Sequence, residues 1–136
     1  MESNSNTHIA LRDVLGEWIA MSDGGDDAVN DDAMGEVELT MVTMTFDAVD
    51  EESLLAILSK YVVLTRTQDG CRNVDLCASV THPGRHLVVQ KWETPQHQRV
   101  HFDSAVMIDM ASACVGVLSS PPDIDLWDAV SAHDLR

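Results

Sequence analysis

Two side chains in one short segment, KWETPQHQRVHF (residues 91–102), are suited to chemistry on a small molecule. His101 carries an imidazole, whose ordinary pKa of about 6.5 suits proton transfer near neutral pH. Trp92 stands nine residues earlier and offers one indole N–H as a hydrogen-bond donor. Gln98 and Arg99 lie between them and are further candidates for contacts to a substrate oxygen. These residue types could therefore move a proton and hold an oxygen atom of a small molecule.

Both of these side chains also have a structural interpretation. Trp92 is of a type that commonly fills a core, and His101 could bond a backbone carbonyl at the end of a helix. The other histidines of this half of the chain, His82, His86 and His97, fall in a turn, at a strand start and on an exposed helical turn. They do not form a ligand set with zinc-type spacing, so the sequence predicts no metal site.

The elements that must position these residues follow from hydrophobic periodicity and from turn and capping residues. Asp50 is predicted to cap one helix, which Asp69-Gly70 ends, and Thr94-Pro95 is predicted to open another. In chain order, the predicted elements are a strand at 37–46, a helix after Asp50, strands at 72–80 and 86–93, a helical stretch from Pro95 to Leu118 with a pause at 102–104, and a strand at 123–130.

The order β-α-β-β-α-β predicts an α+β, ferredoxin-like unit, in which an antiparallel four-stranded sheet carries its helices on one face. The first predicted strand is apolar on both sides: Val37, Leu39 and Met41 alternate with Val42, Met44 and Phe46. The third predicted strand likewise has Leu87 and Val89 on one side and Val88 and Trp92 on the other. A large apolar sheet face is rarely left in water, so we expect a homodimer that stacks sheet against sheet.

The first 36 residues differ from the rest, because nine acidic side chains and one basic side chain give them a charge of −8. They predict an N-terminal extension with an amphipathic helix at about 8–21 and an acidic, Gly-rich linker at 22–36. The helix is expected to dock through Leu15, Trp18 and Ile19. The globular domain is predicted to span 37–136.

Charge excludes two classes of partner. The chain of 136 residues has 23 acidic and 8 basic side chains and a net charge of −15, so it lacks the basic face that nucleic acid or an anionic membrane requires. Its apolar runs are too short to cross a bilayer, and no signal peptide is visible at the start. Three cysteines without CxxC spacing favour free thiols in a reducing cytoplasm. These features predict a cytoplasmic protein that handles a small molecule or another protein.

Two segments resemble the antibiotic biosynthesis monooxygenase family: TRTQDGC (65–71) and KWETPQHQRVHFDS (91–104). In that family a strand ends in Trp and Glu, and a His stands nine residues after the Trp, as His101 does after Trp92. The resemblance covers residues 37–130 and implies a dimeric α+β barrel with a ligand pocket between each sheet and its own helices. The haem-degrading branch matches poorly, since it has a His where this chain has Ala111.

The resemblance implies a function as well as a fold. Some members of the family oxidise phenolic polyketides to quinones with dioxygen and no bound cofactor, and others act on quinols. Transferred to this chain, His101 would be the base and Trp92 would orient the substrate. Two positions depart from the polyketide-oxidising pattern, which has Asn where Val88 stands and Tyr where Gln98 stands. The expected pocket walls are Met41, Val88, Met107 and Met110.

Two functions remain open from the sequence. The first is a cofactor-independent monooxygenase that acts on a planar phenolic or quinol-type small molecule. The second is a non-catalytic dimeric module that binds a hydrophobic small molecule, and fold alone does not decide between them.

Overall fold

A computed structural model describes residues 39–130. The predicted N-terminal extension, with its helix at 8–21 and its linker at 22–36, lies outside the described residues. The elements in chain order are β1 (Thr40–Asp47), α1 (Glu51–Thr65), β2 (Cys71–Ala78), β3 (Arg85–Trp92), α2 (Pro95–Phe102), α3 (Ala105–Ala113) and β4 (Asp123–Asp128).

The four strands form one antiparallel sheet in the order β2-β3-β1-β4. This is the ferredoxin-like α+β arrangement that the sequence predicts. The first helix begins as expected, because the Asp50 side chain accepts a hydrogen bond from the Ser53 amide. Thr94 caps α2 in the same way at the amide of His97, with Pro95 in the first helical position.

The helices cover one face of the sheet, here called the inner face, and the core lies between them. Successive side chains of a strand point to opposite faces, so every second residue of β1 and β3 is buried. The core joins side chains of all four strands and all three helices: Val42, Met44, Phe46, Leu54, Leu58, Tyr61, Val62, Val74, Val88, Trp92, Phe102, Met107, Met110, Ala111, Cys114 and Ile124.

The outer face of the sheet is less apolar than predicted. Leu39 precedes β1, Val37 lies outside the described residues, and the outward residues of β1 are Met41, Thr43 and Thr45. The expectation that the first strand is apolar on both faces is therefore wrong within β1. The apolar part of the outer face comes from three strands together, including the predicted Leu87 and Val89 of β3: Met41, Leu87, Val89 and Trp127.

Two element ends also differ from the prediction. The last helix ends at Ala113, short of Leu118, and Gly116 then takes a positive φ of 83° that helical backbone does not use. Val80, at the end of the predicted strand 72–80, lies beyond the end of β2 and is 97% exposed. In both places the periodic pattern runs past the point at which the backbone turns.

Candidate functional site

Trp92 ends β3 on its inner face and is fully buried. Gln90, two residues earlier, points to the same side because strand residues alternate. The indole Nε1–H of Trp92 donates to Oε1 of Gln90 at 2.9 Å. The indole N–H that was predicted to contact a substrate therefore has a hydrogen-bond partner within the protein.

His101 lies on α2, and the cap at Thr94 and Pro95 fixes where that helix starts after Trp92. The helix turns the imidazole onto the indole of Trp92. The two rings stack with centroids 4.8 Å apart and an interplanar angle of 30°. His101 is 1% exposed, so the candidate residue for proton transfer is also a core residue.

Both ring nitrogens of His101 have side-chain partners from distant parts of the chain. Nε2 lies 2.6 Å from the hydroxyl oxygen of Tyr61 on α1. Nδ1 is hydrogen-bonded to Oε1 of Gln68, in the turn between α1 and β2. The Tyr61 oxygen in turn accepts a hydrogen bond from Nε2 of Gln90 at 2.5 Å. Side chains from α1, its following turn, β3 and α2 therefore form one continuous buried network.

Burial sets the charge of this network. It lowers the pKa of His101 to about 4, because the cation would lose its hydration inside the protein. It also raises the pKa of Tyr61, and the hydrogen bond from Gln90 opposes that rise only in part. At neutral pH both side chains are uncharged, so His101 meets the pocket as a neutral imidazole.

A pocket of about 430 Å³ opens beside this network. Its size lies within the range of small-molecule sites. It is lined by Gln68, Asp69, Trp92, Gln96, His97, Val100, His101 and Ser104. The lining includes no lysine or arginine, so the pocket offers no cationic side chain to an acidic ligand.

A second histidine lies in the pocket wall. Nδ1 of His97 is 2.8 Å from Oγ1 of Thr94, and its Nε2 is 3.7 Å from a carboxylate oxygen of the exposed Asp69. The ring packs directly over Gly70, which has a φ of +81° and leaves no room for a Cβ atom. The α1–β2 turn and the start of α2 are thereby joined at the pocket.

The structure brings only two of the sequence-predicted site residues to this pocket, Trp92 and His101. Gln98 is buried and Arg99 is exposed, and neither lines the pocket. Met41 lies on the outer face of the sheet, whereas the buried Val88 points to the inner face. These two side chains therefore do not line one pocket.

Met107 and Met110 pack in the core, away from the pocket wall. Met107 has a different position from the one expected, with its Sδ 3.6 Å from the Tyr61 hydroxyl. It is therefore a neighbour of the hydrogen-bond network.

Three polar residues of the site were not predicted from the sequence: Tyr61, Gln68 and Gln90. A signal existed for each. Tyr61 is a hydroxyl-bearing residue in the apolar stripe of α1, Gln90 is a polar residue in an otherwise apolar β3, and Gln68 stands within TRTQDGC. Among residues 39–130, no group of three or more His, Cys, Asp or Glu side chains is placed to hold a metal ion.

The buried His101–Trp92 pair lies between the helices and the four-stranded antiparallel sheet of an α+β, ferredoxin-like fold. The model of the antibiotic biosynthesis monooxygenase family matches residues 39–112, which is more than half of the 136-residue chain. The chain belongs to this family. Within residues 39–130, no helix is long and apolar enough to cross a membrane.

Solved structures share the fold at low sequence identity. A protein of unknown function from Nitrosomonas europaea is 16% identical, with a TM-score of 0.66, and the match covers 75% of this chain and 99% of that one. A candidate antibiotic biosynthesis monooxygenase from Deinococcus radiodurans is 18% identical, with a TM-score of 0.61 and coverage of 73% and 98%. A protein from Mycobacterium tuberculosis is 19% identical, with a TM-score of 0.60 and coverage of 72% and 97%. No curated protein matches the chain.

Proposed function

We propose that this protein is a cofactor-independent monooxygenase, which oxidises a planar phenolic or quinol-type, polyketide-like molecule with dioxygen. The observation that carries the proposal is the neutral imidazole of His101, which is buried against Trp92 and lines the pocket. A neutral imidazole has one unprotonated ring nitrogen, which can take up the proton of a substrate hydroxyl at neutral pH.

The reaction balances without an added reductant. A substrate of the anthrone type has a CH₂ group whose enol form carries an ionisable hydroxyl. Loss of that proton gives an electron-rich anion, which passes one electron to dioxygen; the carbon and the superoxide then combine to a peroxide. Breaking the O–O bond releases water and leaves C=O where CH₂ stood. Four electrons leave the substrate and four enter dioxygen, one oxygen atom of which stays in the product.

The protein's part is to take up the substrate's proton, hold its oxygen and exclude water. In this proposal His101 accepts that proton, and the amides of Gln68 and Gln96 in the pocket wall can donate to the substrate oxygen. Trp92 acts by holding the imidazole in place, since its own N–H is occupied by Gln90.

The chemistry of the pocket wall favours an uncharged substrate. Asp69 brings negative charge to the wall, no lysine or arginine lines it, and the whole chain carries a net charge of −15. A carboxylated or phosphorylated aromatic would be repelled without a compensating ion pair. A neutral phenol or quinol avoids that cost.

Oxygen uptake tests the proposal. The protein, without flavin or metal, is mixed with a panel of anthrones and quinols in an oxygen electrode. We expect uptake with at least one anthrone, and a loss of about 10²–10⁴-fold in rate in His101→Gln. His82→Gln is the matched control, because His82 is exposed in the β2–β3 turn. Uptake that is equal in wild type and His101→Gln, or absent across the panel, contradicts the proposal.

One observation favours a second function, a module that binds a hydrophobic small molecule without reaction. Both nitrogens of His101 and the N–H of Trp92 already have protein partners, as in a purely structural network. This alternative predicts saturable binding of the same aromatic molecules with no oxygen uptake.

We also propose that the protein is a cytoplasmic homodimer, joined through the outer face of the sheet. The four apolar residues of that face, Met41, Leu87, Val89 and Trp127, lie on three adjacent strands, and Trp127 is 52% exposed. An apolar patch of this kind gains stability when a second copy covers it. The three cysteines are free thiols, which suits a reducing compartment.

A further inference from the structure

The hydrogen-bond network behind His101 has a direction, and Trp92 fixes it. An indole N–H can only donate, so Gln90 must turn its Oε1 toward Trp92. The amide nitrogen of Gln90 then donates to the Tyr61 oxygen. Tyr61 receives a hydrogen bond on that side, and its own proton is left to be given to another acceptor.

The Tyr61 hydroxyl has two well-placed acceptors besides the neighbouring, buried Thr65 hydroxyl. One is Nε2 of His101 at 2.6 Å, and the other is Sδ of Met107 at 3.6 Å. The nitrogen is the stronger acceptor and the nearer one. In the resting protein Tyr61 therefore donates to Nε2, which leaves the proton of a neutral imidazole on Nδ1.

The Nδ1–H of this tautomer donates to Oε1 of Gln68, in agreement with the observed pair. In this state Nδ1 carries a proton that Gln68 accepts, so it cannot take up a proton from a ligand hydroxyl. A base for a hydroxyl needs a bare Nδ1, so the proton must move to Nε2.

Met107 allows the Nε2–H tautomer of His101 to form without leaving a polar group unpaired. When the Tyr61 proton rotates toward Sδ of Met107, the phenolic oxygen can accept from Nε2–H of His101 while it still accepts from Gln90. Nδ1 then carries a free lone pair at the pocket. Gln68, which is half-buried in the pocket wall, can turn aside for a ligand hydroxyl.

We propose that Tyr61 is a positioning residue, which holds His101 in its Nδ1–H tautomer at rest. When the Tyr61 hydroxyl turns toward Met107, a ligand hydroxyl can select the tautomer with a bare Nδ1. The ligand class is a neutral aromatic hydroxyl compound. The inference rests on the proposed function, because it concerns the imidazole that would take up the substrate's proton. The tautomer of His101 can nevertheless be observed when no oxidation takes place.

Nitrogen NMR of the histidine rings tests it at pH 7, where a protonated and a bare imidazole nitrogen have clearly different shifts. In the free wild-type protein we expect Nδ1 of His101 to be protonated and Nε2 to be bare. Addition of naphthol under an oxygen-free atmosphere should exchange the two patterns.

Two near-isosteric variants separate the positioning role from a structural one. Tyr61→Phe removes the donor to Nε2, so the resting preference should collapse toward a mixture of tautomers. Met107→Leu removes the second acceptor, so the resting tautomer should persist and naphthol should no longer exchange it. His101 with a bare Nδ1 at rest, an unchanged tautomer in Tyr61→Phe, or normal exchange in Met107→Leu would each overturn the inference. Oxygen uptake is a separate readout, so the tautomer result can fail while the monooxygenase stands, and the reverse.

Discussion

Burial of His101 makes the stability of the fold depend on pH in a predictable direction. The folded protein holds the pKa of His101 at about 4, whereas an unfolded histidine has a pKa of about 6.5. Between these values the unfolded chain binds the proton more readily. The stability that this histidine contributes is therefore complete above about pH 6.5 and is lost as the pH falls through about 4.

The magnitude follows from the two pKa values. The gap between 6.5 and about 4, at about 1.4 kcal/mol per pKa unit, corresponds to about 3 kcal/mol of unfolding free energy. Tyr61 stays neutral through this range because burial raises its pKa. The exposed carboxyls of Asp47 and Asp50 have lowered pKa values, so their contribution is lost only at more acid pH.

The assay is urea unfolding at pH 7 and at pH 4, for wild type and for His101→Gln. Glutamine keeps a donor and an acceptor at this position but does not titrate. We expect wild type to lose about 3 kcal/mol more than His101→Gln between the two pH values. All other titrating groups are common to both proteins and cancel in the comparison. Equal losses in the two proteins would refute the buried, neutral state of His101.

Three further predictions concern the turn at the pocket, the proposed dimer interface and the cap of α1. Gly70→Ala should destabilise the protein and weaken ligand binding at the pocket, because a Cβ at a φ of +81° would collide with the ring of His97; calorimetry with an aromatic ligand checks both effects. Val89→Arg should convert the proposed dimer to monomer in light scattering, while Val80→Arg, at a 97% exposed position beyond β2, should leave it intact. A dimer that survives Val89→Arg would contradict the sheet-to-sheet interface. Asp50→Ala should cost about 1 kcal/mol in urea unfolding, because the α1 cap to the Ser53 amide is lost; no change would show that the cap is dispensable.

Local patterns were sufficient to predict most of the fold. Asp50 and Thr94 cap helices because a short oxygen-bearing side chain can reach an amide three residues on, and this depends only on neighbouring residues. The end of α3 was mispredicted, because apolar periodicity continues to Leu118 although Gly116 adopts a positive φ. The outer face of β1 was mispredicted, because Leu39 continues the alternation outside the strand.

The site was predictable only in part. The family resemblance pointed to Trp92 and His101 as a pair, and in the structure their rings stack, while their chemical roles stay a prediction. Their hydrogen-bond partners could not be inferred, since Tyr61 lies 40 residues before His101 and Gln68 lies 33 residues before it. The same is true of the pKa of His101, which its residue type sets near 6.5 and its burial lowers to about 4.

The most direct test of the central claim is the fate of the two oxygen atoms of dioxygen. The protein and an anthrone react under heavy-isotope dioxygen in ordinary water, and the product is analysed by mass spectrometry at early times, before carbonyl exchange. We expect one labelled oxygen atom per product molecule, one dioxygen consumed per product and no accumulated hydrogen peroxide. Product without label, or hydrogen peroxide formed in equal amount, would identify a simple two-electron oxidation and contradict the monooxygenase.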